Sequence, residues 1–406
     1  MKIIEGGILA AKGFKANGIH AGIRQNKSKI DMSLIVSSTL ASAAAVYTTN
    51  LVKGAPIYVT QANLNNGLAQ AILCNSGNAN TCNSNGIEIA TRSCEILANE
   101  LNIDSCDVIV ASTGVIGQPL SIDPFKNGIP NLVLGLGETK EHASLAALGI
   151  MTTDTCKKEI AVEFEIDGKV CHMGAIAKGS GMIHPKLATM LCFITTDVSI
   201  SSNILKEALE EAVSDSFNML SIDGDTSTND MVSILANGLA LNDKIVEKNY
   251  EYVKFLEALK FITIELAKKM AKDGEGATKL LVAHVNHAKT KEDAKIVAKS
   301  VITSSLLKAC MFGSDANWGR VLCAIGYSKA SLDVSKVDVS FSSSIGNVPV
   351  CKNGSGIPFS EELAKKVLSM DEIIIEIDLN EGEGESSAFG CDLTYDYVKI
   401  NGDYRS

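Results

Sequence analysis

The sequence predicts an α/β protein, in which helices and strands follow one another along a chain of 406 residues. Large apolar residues at 160, 162, 164 and 166 alternate with Ala161, Glu163 and Glu165, and Asp167-Gly168 then turns the chain into a second predicted strand, 169–177. This is the pattern of a β-hairpin. Apolar residues at helical spacing predict one helix over 203–218 and a longer one over 249–272. The chain therefore carries both kinds of element in well-marked segments.

Composition excludes some classes of protein. Hydrophobic residues make up 46% of the chain and aromatic residues only 5%, so we expect a large core of aliphatic and small side chains in two or three lobes. The formal net charge is -10, which offers no basic surface for a phosphate backbone. Nucleic acid is therefore not an expected partner.

Cysteine usage and hydropathy indicate the compartment. The eleven cysteines are an odd number without a CxxC pair, which argues against a disulfide framework and against a zinc ribbon. No apolar run is long enough to span a membrane, and the first twelve residues lack the pattern of a secretory signal. We expect reduced thiols, a cytoplasmic protein and no membrane partner.

The remaining elements are predicted from local patterns, taken in chain order. Strands joined by tight turns are expected over the first 60 residues. A strand at 69–74 leads into the asparagine-rich turn Asn75 to Asn80, either a plain turn or part of a site, and a helix follows over 87–101. The later elements are strands at 190–194, 280–285, 337–341 and 373–379, helices at 300–312 and 360–370, and a strand-like tail at 395–406.

A strand at 108–111 opens into a glycine turn that contains Thr113 and Gly114. Backbone N–H groups at such a junction can stabilise an oxyanion, and a hydroxyl group adds one more donor. An ordinary loop is the alternative for so short a motif.

The hairpin places two polar residues at its outer ends. Thr152 lies in the hydroxyl-rich segment before the first strand, and Lys178 follows the second strand. They should therefore be neighbours. Lys178 is either a solvated strand end or a point charge that holds a substrate carboxylate.

Two acidic segments are candidate ligand sites. Asp223 to Asp230 contains three carboxylates, but the twelfth position from Asp223 is Ile234, where a calcium loop needs glutamate. Glu275 lies between two glycines, and an acidic residue there favours an ammonium ligand over phosphate. The pair His284 and His287 lies in a predicted strand without further ligands, so no metal site is expected.

The segment from Lys178 to Cys192 suggests a nucleophile. Glycines and Pro185 shape a loop, and Thr189 then stands at the start of an apolar run. An N-to-O acyl shift at the Ala188-Thr189 bond, followed by hydrolysis, would make Thr189 a new N-terminus. Its α-amine, with a pKa of roughly 7.7 to 8.0, could then take the proton from its own hydroxyl group. The alternative is a threonine that only lines a core strand.

The run KGSGMIHPKLATML, 178–191, resembles the self-cleaving motif of the glutamate N-acetyltransferases, also called ornithine acetyltransferases. Other segments share the resemblance along the whole chain. They are the glycine turn 13–18, Lys29-Ile30-Asp31, Thr48-Thr49-Asn50, Ala55-Pro56, the asparagine turn 75–80, the DGDTSTND run 223–230 and the loop 313–320.

The resemblance implies a layered sandwich of helices around β-sheets, of the self-cleaving N-terminal-threonine acyltransferase type. Cleavage between Ala188 and Thr189 would give an alpha chain, 1–188, and a beta chain, 189–406, which are expected to assemble as a heterotetramer of two of each. The implied site consists of Thr113 and Gly114 as the oxyanion hole, Thr189 as the nucleophile, and Thr152, Lys178, Thr189, Glu275, Asn401 and Ser406 as substrate-binding residues.

The implied reaction transfers an acetyl group from N-acetylornithine to glutamate, in arginine biosynthesis, without a cofactor. Whether acetyl-coenzyme A (acetyl-CoA) is also a donor stays open. Two alternatives remain at this point. One is an amidase or aminopeptidase of the same self-cleaving kind that passes its acyl group to water, and the other is an amino-acid-binding protein whose chain is never cut.

Overall fold

The computed structural model describes residues 1–184 and 190–402, and the chain divides into two compact units. The first unit comprises 1–179, 186–214 and 226–266, and the second comprises 180–185, 215–225 and 267–406. Each unit has its own mixed β-sheet together with helices, which confirms the predicted α/β class.

Within the described residues, the first unit contains a nine-stranded sheet with the order β1-β6-β7-β8-β10-β3-β4-β5, and β2 pairs with β3. Its strands are β1 (Lys2–Ile4), β2 (Phe14–Ile19), β3 (Met32–Tyr47), β4 (Leu68–Asn78), β5 (Val108–Val115), β6 (Lys158–Ile166), β7 (Lys169–Lys178), β8 (Leu191–Thr196) and, after β9 of the other sheet (Leu220–Ser221), β10 (Met231–Ala236).

The predicted hairpin is confirmed as β6 and β7, which pair antiparallel with Ile166 opposite Lys169. Strand β7 also pairs antiparallel with β8, and β8 pairs parallel with β10. Strands from both sides of the predicted cleavage point are therefore adjacent in one sheet. Hydrogen bonds between strands do not depend on chain continuity, so a cut between β7 and β8 leaves this pairing in place.

The helices of the first unit are α1 (Ala55–Asn63), α2 (Gly86–Leu101), α3 (Asp123–Leu134), α4 (Lys140–Ile150) and most of α5 (Ser202–Asp215) and α6 (Tyr250–Lys272). Helix α4 packs on β2 and β3, and α1 packs on β5. Core clusters of this unit are rich in alanine, isoleucine and leucine, in agreement with the predicted core of aliphatic and small side chains. The predicted helices over 87–101, 203–218 and 249–272 are confirmed as α2, α5 and α6.

The second unit has, among its described residues, a seven-stranded sheet with the order β14-β13-β12-β15-β11-β16-β9. Its later strands are β11 (Leu280–Ala288), β12 (Asp338–Ser343), β13 (Gly346–Lys352), β14 (Ser355–Gly356), β15 (Glu372–Asp378) and β16 (Gly384–Cys391). Its helices are α7 (Lys291–Thr303), α8 (Ser305–Phe312), α9 (Trp318–Gly326), α10 (Glu361–Leu368) and α11 (Tyr395–Gly402).

Two predictions of local structure in the body of the chain are wrong. The first 60 residues are not only strands, because α1 begins at Ala55, with Pro56 in the first turn, where its fixed φ suits a helix. The single helix expected over 300–312 is the end of α7 and the whole of α8. They are separated by Ser304, whose hydroxyl group accepts a hydrogen bond from Leu307 N and caps α8.

The tail is also different from its prediction. Its described part forms helix α11 and not a strand. The alternation of apolar and polar residues over 395–400 suggested a strand, but no neighbouring strand pairs with this segment among the described residues. The helix places Tyr397 and Asn401 one turn apart on the same face, and Asn401 Nδ2 donates to Tyr397 O at 3.1 Å.

Over 1–184 and 190–402, none of the helices combines the length and the apolar character that crossing a membrane requires.

Candidate active site

The predicted oxyanion residues lie at the end of β5, which runs on through both of them to Val115. Thr113 is buried, and Gly114 has a φ of 131°, a backbone conformation that residues other than glycine rarely adopt. A Cβ atom at Gly114 would lie 2.6 Å from the backbone nitrogen of Asn78 on the neighbouring strand β4. Only glycine fits this point, because the two backbones approach each other so closely.

Buried amide groups hold the end of β5 in this position. Ser112 Oγ donates to Asn75 Oδ1 at 2.6 Å, and Asn75 Nδ2 donates to Asn78 O at 2.9 Å. From the DGDTSTND run, Asn229 Nδ2 donates to Ser112 O at 3.0 Å and to Ala79 O at 2.6 Å. The asparagine-rich segment is therefore a scaffold for the strand that carries Thr113 and Gly114. The sequence showed the asparagines but could not show what they bind.

Lys178 lies at the end of β7 and is only 9% exposed. Its Nζ atom donates to Thr113 Oγ1 at 3.2 Å, which brings together two site residues that are 65 positions apart. Burial lowers the pKa of the Lys178 ammonium group, while the nearby Asp154 carboxylate acts in the opposite direction. The reading of Lys178 as a solvated strand end is wrong.

Asp154 connects Lys178 to Thr152. Its Oδ1 atom accepts hydrogen bonds from Lys158 Nζ at 2.5 Å and from Gly179 N at 2.7 Å, and its Oδ2 atom accepts from Thr152 N at 3.0 Å. Burial raises the pKa of this carboxyl group, but the charges of Lys178 and Lys158 outweigh that effect and hold the pKa at about 2. The predicted proximity of Thr152 and Lys178 is confirmed. Asp154 stands among threonines without a motif of its own, so the sequence does not identify it as a site residue.

In the second unit, Glu275 and Asn401 are in contact. Asn401 Nδ2 donates to Glu275 Oε2 at 2.8 Å, although 126 positions separate the two residues. Glu275 is 8% exposed, and its backbone N donates to Ser180 O at 2.8 Å. A Cβ atom at Gly181 would lie 2.6 Å from Glu275 Oε1. Gly181 of the predicted self-cleaving segment thus leaves room for a buried carboxylate.

The structure therefore groups the predicted site residues in two clusters. Thr113, Gly114, Thr152 and Lys178 lie in the first unit, and Glu275 and Asn401 lie in the second. The predicted cleavage residues Ala188 and Thr189, and the predicted binding residue Ser406, lie outside the described residues. The first cluster offers an ammonium group and a hydroxyl group for an anion. The second offers a carboxylate for a cation.

In one unit of this α/β fold a buried ammonium group lies beside a hydroxyl group, and in the other unit a buried carboxylate lies beside an amide group; such binding groups are typical of an enzyme for small, charged substrates. A profile of the ArgJ family matches residues 15–406. Arginine biosynthesis bifunctional protein ArgJ 1 of Clostridium acetobutylicum is 52% identical over 394 residues, which are 97% of this chain and 96% of that protein. Arginine biosynthesis bifunctional protein ArgJ of Caldanaerobacter subterraneus is 49% identical over 407 residues, at full coverage of both. The chain belongs to the ArgJ family, and the predictions of its family and of an acyltransferase of arginine biosynthesis are confirmed.

Solved structures of relatives are also similar. The arginine biosynthesis bifunctional protein argJ from Bacillus halodurans is 41% identical, covers 52% of this chain and 98% of its own, and has a TM-score of 0.49. An ornithine acetyltransferase complexed with ornithine, from Mycobacterium tuberculosis, is 33% identical, covers 46% of this chain and 99% of its own, and has a TM-score of 0.43.

Proposed function

We propose that this acyltransferase moves an acetyl group from N-acetylornithine to glutamate through an acetyl ester of Thr189. In the first half-reaction the Thr189 Oγ–acetyl bond forms, the amide C–N bond breaks, and the proton of the hydroxyl group leaves with ornithine. In the second half-reaction the amine of glutamate attacks the ester, and Thr189 Oγ regains a proton. N-acetylglutamate is the product, and these steps need no cofactor.

The observation that carries this proposal is the 3.2 Å hydrogen bond from Lys178 Nζ to Thr113 Oγ1. A hydroxyl group that an ammonium group polarises is a strong donor, and a donor fixed in a buried position stabilises a developing oxyanion without reorganising. We assign Thr113 Oγ1 and the backbone N–H of Gly114 to the oxyanion hole. We assign Lys178 and Thr152 to substrate binding.

Glu275 and Asn401 support an amino-acid substrate. A buried carboxylate is a good partner for a substrate ammonium group. Asn401 Nδ2 orients the Glu275 carboxylate by donating to its Oε2 atom at 2.8 Å. Ser406 is assigned to the same task.

The proposed maturation uses the same nucleophile. Thr189 Oγ attacks the carbonyl carbon of Ala188, the Ala188–Thr189 C–N bond breaks, and the hydroxyl proton passes to the freed amine. Water then hydrolyses the ester, which leaves a carboxylate on Ala188 and restores the Thr189 hydroxyl group. The products are chains 1–188 and 189–406, proposed to assemble as two of each.

Intact mass and N-terminal sequencing test the maturation. We expect two polypeptides of about 20 and 23 kDa, the shares of 42.9 kDa in proportion to chain length, and the larger should begin Thr-Met-Leu-Cys. Thr189→Ala should stay at full length because it lacks the attacking hydroxyl group. A single uncut chain in an active preparation would overturn the mechanism.

A transfer assay tests the acceptor and the donor. With N-acetylornithine and labelled glutamate, we expect N-acetylglutamate and not free acetate, whereas release of acetate would indicate a hydrolase of the same kind. The relatives are named bifunctional, which supports acetyl-CoA as a second donor. Formation of N-acetylglutamate from acetyl-CoA and glutamate, without N-acetylornithine, tests that donor directly.

A further inference from the structure

The DGDTSTND run begins with Asp223, whose carboxylate holds the first part of the predicted self-cleaving segment. Met182 N donates to Asp223 Oδ2 at 2.6 Å, and Ile183 N donates to Asp223 Oδ1 at 2.8 Å. Asp225, two residues further along the chain, donates its backbone N to the same Oδ1 atom at 3.2 Å. One carboxylate thus accepts hydrogen bonds from two consecutive peptide groups of the segment.

The neighbours of Asp223 hold the same stretch of backbone. Ile222 N donates to Ile183 O at 2.7 Å, and the Ile183 side chain is fully buried. His184 Nδ1 lies 3.1 Å from Ser221 Oγ. Three consecutive residues, 221–223, therefore contact three consecutive residues, 182–184, which stand four residues before the predicted cleavage bond in the sequence.

The held backbone is in an unfavourable conformation. Met182 has a φ of 55°, in the left-handed region, which is strained for a residue other than glycine. Such a conformation persists only where the surroundings enforce it, and the hydrogen bond from Met182 N to Asp223 is a charge-assisted one. Asp223 therefore fixes the backbone conformation of Met182 within the predicted self-cleaving segment.

We propose that Asp223 is a positioning residue for self-cleavage at the Ala188–Thr189 bond and acts by fixing the backbone of Met182 and Ile183, which precede that bond in the chain. The inference rests on the proposed maturation and adds the residue that prepares it. It also gives a function to the acidic start of the motif, for which the sequence offered only a disfavoured calcium loop.

The test follows cleavage of the full-length chain made by cell-free synthesis, with the uncut and cut species separated on denaturing gels over time. We expect Asp223→Ala to slow cleavage at least tenfold, because a peptide misplaced by about 1 Å can lose on the order of 10²-fold in rate. Asp223→Asn should be intermediate, since its one amide oxygen can accept from only one of the two consecutive N–H groups. The matched control is Asp225→Asn, which removes an exposed carboxylate from the same loop and should cleave at the wild-type rate.

Stability is measured separately on the uncleavable Thr189→Ala background. There, Asp223→Asn should stay fully folded at the temperature of the cleavage assay, as Asp225→Asn does, so that its slower cleavage is not a loss of folding. Cleavage of Asp223→Ala and Asp223→Asn at the wild-type rate would overturn the inference, as would an equal slowing by Asp225→Asn. If Asp223→Ala does not fold, the comparison of Asp223→Asn with Asp225→Asn decides. A wild-type chain that is never cut would instead overturn the proposed maturation itself.

Discussion

Replacing Asp154 by asparagine should destabilise the first unit strongly. The carboxylate accepts hydrogen bonds from Lys158 Nζ and from the backbone of Gly179 and Thr152, and it faces the charge of Lys178. An asparagine has the same size but no charge, and its NH₂ group is a poor partner for these donors. Two buried ammonium groups would then lose the carboxylate that stabilises them.

Two estimates of the cost agree. Breaking a buried ion pair by removing one partner typically costs about 3 to 5 kcal/mol. Independently, a carboxyl group whose pKa is about 2 in the folded protein and 3.8 otherwise contributes about 2 to 3 kcal/mol of stability at neutral pH. We therefore expect Asp154→Asn to lose about 3 kcal/mol. In a unit of about 250 residues this lowers Tm by roughly 6 to 12 °C.

The pH dependence gives the sign of the effect. The folded-state pKa of Asp154 is depressed, so its stabilisation is present above the unfolded pKa and is lost as the pH falls through the folded value of about 2. The difference in Tm between wild type and Asp154→Asn should therefore be constant from pH 7 to 5 and should shrink between about pH 4 and 2. Circular dichroism melts over this range measure it.

Two controls separate the ion pair from a general loss of charge. Asp167→Asn removes an exposed carboxylate from the β6–β7 turn, where asparagine also tolerates the φ of 49°, and it should change stability by about 0.5 kcal/mol or less. Asp154→Asn/Lys158→Met should recover at least half of the loss, because it removes both charges of the pair. A Tm for Asp154→Asn within 2 °C of wild type at pH 7, or a difference unchanged down to pH 2.5, would refute the reasoning.

Four further changes have expected kinetic effects. Thr113→Ala should lower kcat by about 10²- to 10³-fold with a smaller change in KM, measured by steady-state transfer, and an effect on KM alone would remove it from the oxyanion hole. Lys178→Met should raise KM and lower kcat, because it removes a substrate contact and the ammonium group that polarises Thr113 Oγ1. In wild type, where burial lowers the Lys178 pKa, KM should rise as the pH rises through that pKa. Asn401→Ala should raise KM for glutamate, and an unchanged KM would separate it from substrate binding. If the Thr189 amine is the base, kcat/KM should rise with pH near an apparent pKa of roughly 7.7 to 8.0, and His184→Gln should keep that rise. Loss of the rise in a normally cleaved variant would make His184 the base.

The sequence could predict elements and residue types where the signal is local. The β6–β7 hairpin and helices α2, α5 and α6 follow from spacing alone, because apolar periodicity over ten or more residues reflects one buried face. The predictions for the tail and for residues 300–312 were wrong because the local signal in these segments is ambiguous. The short alternation of apolar and polar residues over 395–400 fits either a strand or a helix. Within 300–312, the sequence does not show that Ser304 separates two helices and caps the second one.

What the sequence determined by itself is the set of residue types near the predicted cleavage point: a glycine-rich segment, a threonine after an alanine, and polar residues that resemble one family over the whole chain. Only the tertiary structure decided which groups meet. The contacts of Lys178 with Thr113, of Glu275 with Asn401 and of Asp223 with Met182 join residues 65, 126 and 41 positions apart. The strength of such contacts depends on burial, because a charge that is removed from water depends on a few fixed partners. These partners are far apart in the sequence and meet only after folding, so the sequence shows neither the burial of a group nor its partner.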